Sequence, residues 1–247
     1  MLSSETISLN KRISASGYCS RREADQLIEQ GRVAVNGNVA LPGSKVLLSD
    51  KIYIDDELLK IAPPKAEDTF IIALNKPVDI TTTTDPNDRT NVILFLNHPK
   101  RIFPIGRLDK DSEGLLFLTN NGDIVNKILR AGNQHEKEYV VTVDKKITPE
   151  FIGKMSRGVR ILGTMTLPCK VRQVSGKTFN IILTQGLNRQ IRRMCEAFDY
   201  KVISLKRTRI MHIQLGSIAA GKWRYLSTAE MDEMMRLIAS SKNEVKE

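Results

Sequence analysis

The sequence predicts an α+β protein in two parts, a small mixed module followed by a larger domain whose strands and helices do not alternate regularly. Two helix-start signatures, several short strand-like apolar runs and one proline-paired stretch between the parts carry that prediction. Residues 1–60 form the module, 61–68 a linker, 69–240 the larger domain and 241–247 a fraying tail.

In the module, apolar spacing predicts a helix over Leu9–Ala15, closed by Gly17. Ser20-Arg21-Arg22-Glu23 is a capping box, in which the hydroxyl and the carboxylate satisfy free backbone donors reciprocally, so a second helix follows through Ala24, Leu27 and Ile28 to Gly31. Val33 and Val35 alternate, Asn36-Gly37 is a hairpin turn, and Val46, Leu48, Ile52 and Ile54 supply further strand material. Pro63-Pro64 then favours extended chain.

The larger domain opens on a strand over residues 70–74 that ends at Asn75-Lys76-Pro77. Further strands are expected over 139–143 and 179–184, and helices over 123–129, 149–155 and 190–198. The last helix starts at the cap-like Ser227-Thr228-Ala229-Glu230 and runs to Ala239. No repeat and no Gly-rich phosphate loop occurs.

The 247 residues carry a net charge of +10, which favours a polyanionic partner. The charge is uneven: residues 186–212 hold seven basic side chains against two acidic ones, a local +5 that favours nucleic acid over a merely solvated face. In the module, Lys11, Arg12, Arg21, Arg22 and Arg32 are basic, and Arg21 and Arg22 oppose the dipole of a helix's first turn. A locally unfavourable charge suggests an external reason such as phosphate. Cys19, Cys169 and Cys195 are far apart and form no C-x-x-C pair, so neither a disulfide framework nor a zinc site is indicated. Without an apolar leader or a stretch of about 18 apolar residues, a soluble, reduced, cytoplasmic protein without membrane contact is expected.

The most informative stretch is Gly106-Arg107-Leu108-Asp109-Lys110-Asp111-Ser112-Glu113-Gly114, which runs directly into Leu115-Leu116-Phe117-Leu118. A polar turn feeding four apolar residues reads as a loop entering a buried strand. A carboxylate there needs compensation to stay charged, and Arg107 and Lys110 flank Asp109. Such a group suits nucleophilic or acid–base chemistry, although clusters of this composition are also ordinary solvated turns. Calcium is disfavoured, because the twelfth position of an EF-hand-like loop is Asn120 instead of Glu.

Together with Leu74-Asn75-Lys76-Pro77, Lys137-Glu138-Tyr139, Gln190-Ile191-Arg192-Arg193-Met194 and the Ser20 capping box, the Asp109 loop resembles the pseudouridine synthases that carry an S4-type RNA-binding domain. This is the ribosomal branch of the small-subunit synthase A and the large-subunit synthases B, E and F. Five motifs in order span nearly the whole chain, and residues 126–133 are most similar to the F-type large-subunit enzymes. One departure is Asp79, where the family has glycine; it bears on the turn or on a substrate contact and lies outside the catalytic set.

The resemblance implies a long, mixed, mainly antiparallel sheet flanked by helices, with a cleft across its middle. It implies that Asp109 attacks C1′ or removes the C2′ proton, that Arg192 forms an ion pair keeping Asp109 ionised, and that Tyr139 stacks on the uracil near C5. Arg107 would hold the extruded nucleotide's phosphate, with Lys76, Arg12, Arg21, Arg22, Arg189 and Arg193 as further RNA contacts. Taken alone, a tyrosine at a strand start packs in a core, an Arg-Arg pair faces solvent, and Arg193 suits phosphate or water equally; for Lys76-Pro77 a turn that closes a strand is the preferred reading even with the resemblance. The isomerisation neither gains nor loses atoms, so no cofactor and no metal is expected. The implied partner is RNA, with large-subunit 23S rRNA as the main substrate and a tRNA anticodon loop or small-subunit rRNA as alternatives, and a monomer is the simplest state. A non-catalytic RNA-binding assembly factor is the rival reading, and the intact Asp–Tyr–Arg set argues against it.

Overall fold

In the computed structural model, residues 6–60, 69–129 and 135–239 are described, in two compact units spanning 1–68 and 69–247. The expected linker at 61–68, the tail at 241–247 and part of the F-like segment, residues 130–134, lie outside the described residues.

The first unit comprises β1 (Ile7–Ser8), α1 (Leu9–Ala15), α2 (Arg21–Glu29), β2 (Val33–Val35), β3 (Asn38–Val39), β4 (Lys45–Val46), β5 (Ile52–Ile54) and β6 (Glu57–Leu58). Helix α2 starts with the expected box: Ser20 Oγ accepts from Glu23 N at 3.2 Å, and Ser20 N donates to Glu23 Oε2 at 2.7 Å. Strands β3-β2-β5-β6 form an antiparallel sheet, and β1 pairs with β4. Leu9 and Ile13 of α1, Ala24 and Ile28 of α2, and Ile52 and Ile54 of β5 converge in one core. Burying each of the larger side chains contributes roughly 1.5–3 kcal/mol of transfer free energy. Asn36 and Gly37 both take positive φ, +51° and +88°, as the tight β2–β3 hairpin requires. Leu48, expected in a strand, is instead exposed in the turn after β4.

The second unit comprises β7 (Ile71–Lys76), α3 (Val92–Leu96), β8 (Phe103–Ile105), β9 (Glu113–Thr119), α4 (Gly122–Leu129), β10 (Lys137–Val143) and α5 (Pro149–Ser156). It continues with β11 (Arg160–Ile161), β12 (Thr164–Met165), β13 (Lys170–Gln173), β14 (Thr178–Leu183) and α6 (Gln190–Glu196). Strands β15 (Val202–Ile210), β16 (Ile213–Gln214) and β17 (Trp223–Tyr225) and helix α7 (Thr228–Ala239) complete it. Nine of these strands form one sheet in the order β13-β14-β10-β15-β9-β7-β17, with β16 on β15 and β8 on β9. Only the β15–β9 pair is parallel, so the sheet is mixed and mainly antiparallel. Helices and strands mix without regular alternation, the α+β class expected.

Strand β9 is central, and Leu115, Leu116, Phe117 and Leu118 are fully buried, the reason its sequence is apolar without alternation. The sheet has two differently covered faces. Ile71, Ala73, Leu115 and Phe117 point to one face, with Ile124 of α4 and Met234 and Ile238 of α7. On the other, Val141 and Leu205 meet Phe151 of α5 and Met194 of α6, while Ile72, Leu74 and Leu116 meet the short α3. The site occupies this second face, between α6 and α3.

Helix α7 begins at its expected cap: Ser227 N donates to Glu230 Oε2 at 2.8 Å, and Glu230 N donates to Ser227 Oγ at 3.3 Å. The Arg224 guanidinium, bonded to both carboxylate oxygens, and the Ser227 N–H hold the Glu230 carboxyl down at about 2, against an ordinary 4.5. A depressed carboxyl stabilises the fold above its unfolded pKa, and that stabilisation is lost as pH falls through the folded one. Glu230→Gln should therefore cost about 1 kcal/mol at pH 7, a value kept low because the pair is part-exposed. Urea titrations should show the gap from the parent closing as pH drops from 4.5 towards 2; a constant gap would remove the charge from this account.

Candidate active site

The Asp109 loop connects β8 to β9, and all five carbonyls from Arg107 to Asp111 accept a hydrogen bond. Arg107 O receives Arg207 Nη1 at 3.4 Å, and Leu108 O receives Thr82 Oγ1 at 2.7 Å. Asp109 O receives Ser112 N at 3.0 Å, Lys110 O receives Asp79 N at 2.8 Å, and Asp111 O receives Arg192 Nη2 at 2.9 Å. Such a loop is held before any substrate arrives. Asp79 takes φ +67°, a left-handed conformation natural to glycine and tolerated by Asp, so the departure noted in the sequence leaves the turn intact.

Asp109 is about one-third exposed at a cavity of about 360 Å³, walled by Asp79, Thr82, Arg107, Asp109, Asp111 and Arg189. That volume lies in the range of small-ligand pockets. Two guanidinium groups approach the carboxylate from α6: Arg189 Nη1 is 3.8 Å from Asp109 Oδ2, and Arg192 Nε is 4.0 Å from it. Arg192 is buried, with Nη2 also 3.0 Å from Ser112 Oγ and 3.3 Å from Asp111 Oδ2. The sequence paired Arg192 with Asp109 alone; the structure shares it between two aspartates, and the contact to Asp111 is the shorter. Its Nε is buried without a hydrogen-bond partner among the described residues, a donor facing the carboxylate.

Lys76, Gly114, Arg207 and Tyr139 lie in one lateral row across β7, β9, β15 and β10. At about 4.8 Å per strand, the row crosses the middle of the sheet. Tyr139 is 9% exposed, in the same apolar cluster as Leu108, and does not wall the cavity. Lys76 is fully buried, and its Nζ donates to Pro77 O at 2.7 Å and Ile80 O at 2.8 Å. Burial pushes its pKa down to about 8, against the pull of Asp111, Asp109 and Asp79. Lys76 was expected to touch RNA; its ammonium is instead spent on the turn carrying Asp79. Arg12 is likewise corrected: it is buried, and its guanidinium donates to Leu48 O, so it braces the first unit instead of facing solvent.

The other expected RNA contacts are reachable. Arg21, Arg22, Arg107 and Arg189 are exposed. Arg189 also forms a two-pronged contact to Asp111, both arms at 3.3 Å. Arg193 is half-buried and bonded back to Asn188 O and Oδ1 at 3.1 and 3.2 Å.

Sequence reasoning missed Thr82, Ser112, Arg207 and Lys137. Arg207 is buried, with Nε on Leu115 O at 2.6 Å, so it ties both ends of the Asp109 loop. Lys137, buried beside it, is pushed down to about 8 by burial and by Arg207. No signal marked Arg207, because β15 buries residues 202, 205, 207 and 210, and two register shifts against β10 break its alternation. Cys169 and Cys195 are raised to about 11 and 12 by burial and take no part.

The rigid acidic loop at mid-sheet, its carboxylate approached by guanidinium groups, lies within a chain whose relatives are RNA-modifying isomerases, and the chain belongs to the RNA pseudouridylate synthase family. The family profile matches residues 70–197, and an S4 domain profile matches residues 8–52. Over its full length the chain is 57% identical to the dual-specificity RNA pseudouridine synthase RluF of Escherichia coli K12, covering 84% of that protein. It is 38% identical to the ribosomal large subunit pseudouridine synthase B of Bacillus subtilis, over 95% of this chain and 98% of the other. A crystal structure of a pseudouridylate synthase superposes with a TM-score of 0.68 at 27% identity, covering 92% of this chain and 99% of that one. Among the described residues no helix is long and apolar enough to cross a membrane.

Proposed function

We propose that this enzyme isomerises a specific uridine of 23S rRNA and also accepts a tRNA, acting in the cytoplasm as a single copy. The observation that carries this is the full-length 57% identity to a dual-specificity synthase, supported by the likeness to a large-subunit enzyme. The target uridine leaves its stack at a cost of a few kcal/mol, since C1′ is otherwise out of reach. Asp109 then attacks C1′ or takes the C2′ proton; either step needs an ionised carboxylate, which the guanidinium groups of Arg189 and Arg192 favour. The N1–C1′ bond breaks, the uracil turns, and C5 bonds to C1′ as the Asp109–C1′ bond breaks or the C2′ proton is returned. The C5 proton is then released to solvent and N1 takes one up, so that the product is an isomer and the carboxylate is restored. Tyr139 stacks on the base and Arg107 holds the phosphate, while Arg193 adds a second phosphate contact by giving up its bonds to Asn188. In the S4 unit, Arg21 and Arg22 supply phosphate contacts without chemistry.

Chemical mapping of 23S rRNA and tRNA after incubation with the purified enzyme tests this directly. One discrete pseudouridine in each RNA is expected, and an unmodified 23S rRNA would overturn the substrate assignment. In the same assay Arg21→Gln with Arg22→Gln should weaken binding and flatten the slope of log K against log salt by about 1–2.

A further inference from the structure

The outer strand β17 carries an aromatic surface that the chemistry at Asp109 does not use. Trp223 is 38% exposed and Tyr225 48%, with ring centroids 5.2 Å apart at 80°. His98 joins them, 5.9 Å from Trp223, with Nε2 2.8 Å from Tyr225 Oη. Phe70 closes the group at 5.3 Å from Tyr225, beneath Lys100 Nζ at 5.7 Å from its ring centroid. Edge-to-face contacts hold each ring in place while leaving apolar area in water.

Position makes this surface relevant to the site. Trp223 pairs with Leu74 and Tyr225 with Ile72, on the face shared with Lys76, two residues further along β7. With about 3.4 Å per residue and 4.8 Å per strand, the Trp223 backbone lies about 8 Å from that of Lys76. That is within reach of nucleotides next to an everted uridine. Helices α4 and α7 cover the opposite face, whereas here the five-residue α3 leaves the edge open.

Charge selects the occupant. Lys100 is exposed at the Phe70 ring and Lys222, next to Trp223 in the chain, is exposed too, whereas Arg224 is neutralised by Glu230. Lysines are depleted at protein interfaces, but aromatic rings with flanking cations suit unpaired nucleotides: bases stack and phosphates are neutralised.

We propose that the Trp223–Tyr225–His98 surface, with Lys100 and Lys222, is a stacking platform for unpaired substrate bases flanking the target uridine. The proposal rests on the enzyme's action on RNA but not on which RNA is modified.

Trp223 is the single tryptophan of the chain and reports on its own contact. The full-length protein is titrated with a labelled uridine stem-loop bearing a single-stranded flank. RNA anisotropy, tryptophan emission and acrylamide quenching are read together. Emission should change along the anisotropy curve, and bound RNA should shield Trp223 from acrylamide. Tyr225→Ala should weaken binding about 10-fold, the loss expected for one stacked base, and only for RNA carrying the flank. Lys222→Glu, which alters no packed side chain, should weaken it in the same direction. Rising anisotropy with unchanged emission and accessibility would overturn the platform and leave the enzyme's action on RNA standing. Absence of any anisotropy change would overturn both.

Discussion

Asp109→Asn should abolish pseudouridine formation while leaving the protein folded and able to bind RNA. An amide neither attacks C1′ nor accepts the C2′ proton, so both routes close, and losses of about 10⁴-fold or more in kcat are expected. Stability should hardly change, because the side chain is about one-third exposed, its nearest cation stands 3.8 Å away, and Asp111 retains its contacts to Arg189 and Arg192. RNA affinity should stay equal or rise, since a negative charge leaves a surface that meets phosphate. Single-turnover conversion, thermal unfolding and RNA anisotropy separate these effects. Residual conversion within tenfold of the parent would remove Asp109 from the chemistry.

Gly114→Ala should have the largest effect on the fold of any single methyl addition at the described glycines. Gly114 has φ +107°, and a Cβ there would lie 2.3 Å from Arg207 O and 2.7 Å from Arg207 N, both backbone atoms of the neighbouring β15. Neither atom can swing aside as a side chain would. The strained φ costs about 1–2 kcal/mol, and parting β9 from β15 adds to it, for an expected total of about 3 kcal/mol. For a domain of this size that lowers Tm by roughly 6–12 °C. Activity should fall more than stability alone explains, because Arg207 also holds Arg107 O and Leu115 O at the two ends of the catalytic loop. Gly176→Ala, where an added methyl meets nothing within 4 Å, is the matched control and should be silent. A parent-like Tm for Gly114→Ala would mean that the central strands separate at little cost.

The parts of this fold legible in the sequence are those with local chemistry. Helices α2 and α7 announce themselves through Ser20–Glu23 and Ser227–Glu230, because a capping box is a contact between near neighbours. Asp109 stands out because a charged turn abuts four apolar residues, and β9 proves to be the buried central strand. Helix α3 escaped because Val92-Ile93-Leu94-Phe95-Leu96 is apolar throughout and lacks a helical period. Strand β15 escaped because Lys206, Arg207 and Arg209 make it read as a basic surface, although Arg207 is buried. Lys76, Lys137 and Arg12 share that lesson: each buried cation is held by a backbone carbonyl, of Ile80, His135 and Leu48, and a basic letter in the sequence records neither the burial nor the pairing. Asp109 and Tyr139 stand 30 positions apart in the chain, and the β9-β15-β10 order brings Tyr139 into one apolar cluster with Leu108, the residue before Asp109.

The five tethered carbonyls dictate where motion can occur during turnover. A uracil that detaches by one atom and reattaches by another must swing while its ribose waits in register. A backbone pinned at every position from Arg107 to Asp111 has no slack with which to follow it. In the proposed reaction the aspartate is thus a fixed pivot, and the whole excursion falls on the loosened pyrimidine ring.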